Sequence, residues 1–141
     1  MSLLFSEQSA IDIREQSPIA LAFAGDAVLE LLVRARLVGT TRLPPSSLHA
    51  QAVRLVSAKG QAQAAAALEP LLTDEERTLL RRGRNASKAA VSKHATPEEY
   101  RASTGLEALF GWLYLQGQNA RIETLFETAW NCVYEAPAAQ A

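Results

Sequence analysis

SPIALAFAGDAVLELLVRARLVG, residues 17–39, carries a helix start, a helix stop and little between them but helix-forming apolar side chains. Ser17 has the side-chain oxygen that an N-cap needs, and Pro18 brings a φ already set for the first helical position. Gly39 marks the end. The segment is apolar on nearly every side, the pattern of a helix placed in the middle of a core rather than on its surface.

Outward from this helix, TTRLPPSS (residues 40–47) reads as a turn, because paired prolines remove donors and disfavour helix before them. A second helix is predicted from about Ser47 through SLHAQAVRLVSAKGQAQAAAALEPLL, with Leu48, Ala52, Leu55 and Val56 at helical spacing, Gly60 as a weak point and Pro70 at its end. Thr73-Asp74-Glu75-Glu76 and Thr96-Pro97-Glu98-Glu99 both have the form of a capping box. The first opens a short helix predicted to stop at Gly83, and the second opens YRASTGLEALFGWLYLQG, ending at Gly117. Between them RNASKAAVSKHA reads as a basic loop. Ile122, Leu125, Phe126, Ala129 and Trp130 mark a last amphipathic helix. With no convincing run of alternating β-branched residues, the fold class is all-α, a single domain over residues 1–135 with a disordered tail at 136–141.

The bulk properties agree and exclude several classes. A chain of 141 residues can close one core, and 48% apolar with 21% charged residues is ordinary globular composition. Asp26, Glu30 and Arg34 interrupt the best candidate for a membrane span, and the N-terminus lacks the pattern of a secretory signal. One cysteine, Cys132, forms no internal disulfide and reads as a buried structural thiol, which fits a reducing cytoplasm. A net charge of −1 does not advertise a nucleic-acid binder. The basic residues are nevertheless concentrated, since Arg81, Arg82, Arg84, Lys88 and Lys93 lie in a stretch with no acid before Glu98.

Two carboxylates stand in apolar surroundings. Asp26 interrupts the Ser17 helix and Glu107 interrupts LEALFGWLYL, and an unpaired buried carboxylate costs several kcal/mol or becomes neutral. Each has ordinary explanations: an arginine partner, a backbone cap if the helix broke at Gly25, or a wet groove. The functional explanation is a divalent cation between two carboxylates that would otherwise repel. Thr104 and Gly111, on the Glu107 face, and Gly25, beside Asp26, are small enough to admit another helix or an ion. Other chemistries lack their motifs, with no nucleophile elbow, P-loop or dinucleotide glycine pattern, and His49 and His94 sit near helix or loop boundaries.

LAFAGDAVLELLV resembles the signature helix of ribonuclease III catalytic domains, and STGLEALFGWLYL resembles their later helix with an essential glutamate. LVSAKGQA and LRRGRNA are similar to motifs of the Mini-ribonuclease III subfamily, which lacks the double-stranded RNA-binding domain. The resemblance spans roughly residues 17–130. It implies an all-helical homodimer with a valley for duplex RNA, and a magnesium-dependent endoribonuclease leaving 5′-phosphate and 3′-hydroxyl ends. In this sequence Asp26 and Glu107 match the catalytic Mg²⁺ ligands. Two further acids of the family pattern are replaced by Ala22 and Thr104, which implies one ion, or a second held mainly by phosphate and water.

The same resemblance gives the basic segment a reason. Arg81, Arg82, Arg84, Asn85 and Lys88 are expected to contact the RNA backbone, because guanidinium forks match phosphate oxygens. The alternative is a solvated loop whose arginines favour a helix C-terminus. The implied substrate is a large-subunit (23S) ribosomal RNA precursor, and the resemblance admits a ribosomal protein as a helper. The competing function is a non-catalytic module that binds duplex RNA, supported by Ala22 and Thr104.

Overall fold

The computed structural model describes residues 11–88 and 94–135. Among them the chain forms six α-helices and no strand: α1 (Pro18–Thr40), α2 (Pro45–Val56), α3 (Ala58–Leu68), α4 (Asp74–Ala86), α5 (Pro97–Leu115) and α6 (Asn119–Tyr134). Lys93 and the tail at residues 136–141 lie outside the described residues.

The capping chemistry works as read. Ser17 accepts from the Ala20 amide at 3.1 Å. Thr73 and Glu76 exchange both bonds of a capping box, as do Thr96 and Glu99. Glu76 has a second partner. Only 4% exposed, its carboxylate takes a forked bond from Arg121 of α6 at 2.7 and 2.8 Å, and Arg121 also donates to Leu71 O at 2.8 Å. That guanidinium holds Glu76 below the usual carboxylate range. Replacing Arg121 by Met is expected to lower stability by about 2 kcal/mol, because it leaves a buried acceptor unpaired. Chemical denaturation reads this directly, and an unchanged midpoint would show that the pair contributes nothing.

Three expectations about the helices are corrected. The helix predicted from about Ser47 to Pro70 is two, and the break falls at Ser57, not Gly60. Ser57 has extended backbone (φ −66°, ψ 159°), ends α2 and caps α3 by accepting from Gly60 N at 3.1 Å. Gly60 serves the corner by leaving room, since a Cβ there would lie 2.0 Å from Arg54 O. The helix predicted to stop at Gly83 continues to Ala86, so Arg84 and Asn85 are helical rather than in a loop. Gly83 is an interior contact whose Cβ would meet Gly105 Cα at 2.8 Å and Ala108 Cβ at 2.9 Å.

The third correction concerns the centre of the fold. It is α5, packed against α1, α3, α4 and α6, with Leu106, Ala108, Leu109, Phe110 and Leu113 fully buried. Helix α1 buries Leu21, Val28, Leu29, Val33 and Leu37 on one side and leaves Ile19, Phe23, Leu31 and Val38 exposed on another. Phe23 is 86% exposed. An all-round apolar helix therefore has one face in this chain's core and a second face that the described residues leave exposed.

Cys132 is half-buried rather than buried, with its thiol 3.7 Å from Gln63 O. No helix is long and apolar enough to cross a membrane among the described residues.

Candidate active site

Helices α1 and α5 touch backbone to backbone. A Cβ on Gly25 would lie 1.7 Å from Glu107 O, and one on Gly111 would lie 1.9 Å from Leu21 O. Only hydrogen at both positions lets the helices come this near. The result is that Asp26, next to Gly25, stands beside Glu107, although 81 positions separate the two residues in the chain (107 − 26). The helix does not break at Gly25, so Asp26 is not a cap.

The two acids are not equivalent. Asp26 is exposed at the rim, which corrects the reading of it as a buried group; it lies on the outward side of α1. Glu107 is half-buried, and its carboxyl is pushed up to about 7. Burial is the main cause; the Gln61 amide opposes it, while the Asp26 charge, a hydrogen bond with Asp26 and the charge of Glu30 push in the same direction as burial. Gln61, 2% exposed in α3, donates to Glu107 Oε2 at 3.2 Å and to Val56 O at 3.0 Å.

Glu30 and Gln61 were not singled out in the sequence. The signal for Glu30 was available, because it is four residues after Asp26 and so on the same helical face. Its carboxylate accepts from Arg34 at 3.0 Å. Gln61 carried no comparable signal: one polar residue in an alanine-rich helix reads as a solvated face.

Asp26 and Glu107 offer hard oxygen donors of the kind that divalent cations take. Among the described residues no three His, Cys, Asp or Glu side chains form a metal-ligating group. Ala22 is buried, and Thr104 spends its hydroxyl on Tyr100 O and Ser87 Oγ, at 3.0 and 3.2 Å. An ion here would take two carboxylates and complete its shell with water and phosphate.

The basic residues lie elsewhere. Arg81, Arg82, Arg84 and Asn85 are exposed on α4, and Lys88 follows its cap, Ser87. Helix α4 meets α5 through Gly83, against Gly105 and Ala108, whereas Glu107 is at the α1 contact. Arg84 is 3.7 Å from Glu98. Lys88 comes nearest the acids by position, lining a cleft with Ile19, Tyr100 and Thr104, the last being three residues before Glu107. The structure thus gathers the carboxylates at the α1–α5 contact, while the cations line α4 and, at Lys88, the cleft beside Thr104.

The chain is similar to known proteins over most of its length. The sequence model of the ribonuclease III domain family matches residues 19–118. The chain belongs to that family. Within it, the chain is similar to several Mini-ribonuclease 3 proteins. That of Symbiobacterium thermophilum is 45% identical over 112 residues, covering 79% of this chain and 86% of its own. That of Thermoanaerobacter sp. (strain X514) is 39% identical over 119 residues, covering 84% of each chain. A crystal structure of a Fusobacterium nucleatum protein superimposes with a TM-score of 0.75 at 29% identity, covering 84% of this chain and 94% of that one. This Mini-ribonuclease III family member is accordingly an endoribonuclease built on the ribonuclease III fold.

Proposed function

We propose that this chain is a magnesium-dependent endoribonuclease that cuts double-stranded RNA as a homodimer, with Asp26 and Glu107 holding the ion. The observation that carries the reading is the meeting of these two acids across the Gly25–Gly111 contact, where burial and a second carboxylate push Glu107 up to about 7. A divalent cation relieves both penalties at once. When bound, it supplies an activated water and stabilises the charge on the phosphoryl oxygens. The chain's own part is to fix the two acids on rigid helices, with Glu107 shielded and Asp26 open to solvent, so that a phosphate can approach from the Asp26 side. The test is cleavage of a long labelled duplex with Mg²⁺ or with chelator: magnesium-dependent fragments with 5′-phosphate and 3′-hydroxyl ends, lost in Asp26→Asn, support the reading. Equal cleavage by the variant overturns it.

The substrate class we propose is A-form duplex read by shape, with the large-subunit (23S) ribosomal RNA precursor implied by the family resemblance as the structured RNA to try first. Arg81, Arg82, Arg84 and Asn85 on α4, with Lys88 just beyond its cap, supply the phosphate contacts. Replacing Arg81 and Arg82 by Gln is expected to raise KM several-fold, leave kcat within about twofold, and reduce the salt slope by roughly one per contact removed. An unchanged salt dependence would remove α4 from the interface.

The uncovered face of α1 supports the homodimer. Ile19, Phe23, Leu31 and Val38 share one side of α1, and an isologous contact through that helix would cover them twice over. Phe23→Glu is expected to convert the dimer to monomer in sedimentation or light scattering, and a variant that sediments as the wild type rejects α1 as the interface.

A further inference from the structure

Gln61 is an expensive residue for its place. It is 2% exposed, and its Oε1 is buried without a protein hydrogen-bond partner. If filling space were its purpose, a leucine or methionine would do so with no orphaned acceptor. Both of its donors are committed, one to Val56 O and one to Glu107 Oε2. Val56 ends α2, so its carbonyl has no partner within that helix. These two acceptors also decide which way the amide faces, since a flipped amide would set its oxygen against both.

We propose that Gln61 is a positioning residue for the nuclease site: anchored on the carbonyl that the α2–α3 break leaves open, its amide holds one oxygen of Glu107 and so aims the carboxylate at the cation. The inference rests on the metal-dependent reading above and deepens it. The chain of support runs from Ser57, whose extended backbone opens the break, through Val56 O and the amide to the carboxylate. It gives Glu107 a donor in a protein that has Ala22 and Thr104 where further acids would have helped to gather ligands.

The experiment uses the full chain with Mn²⁺ as probe. Mn²⁺ affinity is measured without RNA by calorimetry, and kcat and KM are measured on a duplex, for wild type, Asp26→Asn, Gln61→Met and Gln61→Asn. Methionine keeps the volume and loses both donors. Asparagine keeps an amide for Val56 O and withdraws it from Glu107, so it reads the same loss where the methionine variant does not fold. Both are expected to weaken Mn²⁺ binding and kcat by about 10- to 100-fold with KM for RNA within about twofold. Wild-type Mn²⁺ affinity and kcat in either folded variant overturn the proposal. If Asp26→Asn binds Mn²⁺ and cleaves like the wild type, the metal-site reading itself fails, and this proposal fails with it.

Discussion

Gly25→Ala is expected to lose at least about 3 kcal/mol of stability, and Gly111→Ala the same, a fall of roughly 10 °C in Tm. In both cases the new methyl would overlap a backbone atom, Glu107 O at 1.7 Å or Leu21 O at 1.9 Å. A side chain can rotate away from such an overlap, but a helix backbone cannot. The two helices must separate, and separation opens contacts along the most extensive interface of the fold. Ordinarily alanine favours a helix over glycine by about 1 kcal/mol, so the expected sign reverses a strong local preference. Gly39→Ala is the control, because a Cβ there meets nothing within 4 Å and should leave stability unchanged or raise it. Thermal melts of the three variants check this. Equal melting of Gly25→Ala and Gly39→Ala would mean that α1 and α5 do not touch as described. The same separation carries Asp26 away from Glu107, so any Gly25→Ala protein that folds should also cleave poorly.

Glu107→Gln should abolish cleavage, by about three orders of magnitude or more, while making the metal-free protein more stable at neutral and alkaline pH. The carboxyl sits at about 7 in the fold against an ordinary 4.5, so the folded state binds its proton more tightly than the unfolded state. Its favourable contribution is complete below pH 4.5 and is lost as pH rises through 7. Allowing for the solvent that reaches this half-buried group, the loss is about 2 kcal/mol. Glutamine does not titrate. The two proteins should therefore unfold at similar urea concentrations near pH 4.5, and the variant should be the more stable at pH 8. Adding Mg²⁺ at pH 8 should reverse the order, because only the wild type gains from an ion bound to the folded state. A stability difference that does not change with pH would remove the penalty from Glu107.

Most of the fold could be read in advance because its signals are local. Ser17-Pro18, the Thr73 and Thr96 capping boxes and the stop at Gly117 each depend on a few neighbouring residues, and each helix start follows from which backbone amides a nearby side chain can reach. The errors arose where a residue answers to something distant. Gly83 and Gly60 look like helix ends or weak points in one dimension, but both are close approaches between helices. Asp26 and Glu107 drew notice as carboxylates in apolar runs, and the two then proved to differ, one at the rim and one half-buried. Nothing in the run around Asp26 shows that its side chain faces outward while Ala22, Gly25, Val28 and Leu29 around it are buried.

The sequence by itself determined that the chain is helical, where most helices begin, which two acids stand out and which family it belongs to. Tertiary structure alone decided that α5 rather than α1 is central, and that Glu30 and Gln61 join the acids. The reason is physical: caps and periodicity are written within one turn of helix, whereas the site exists only where two glycines let α1 and α5 meet. Which side of an apolar helix its own chain covers depends on that meeting.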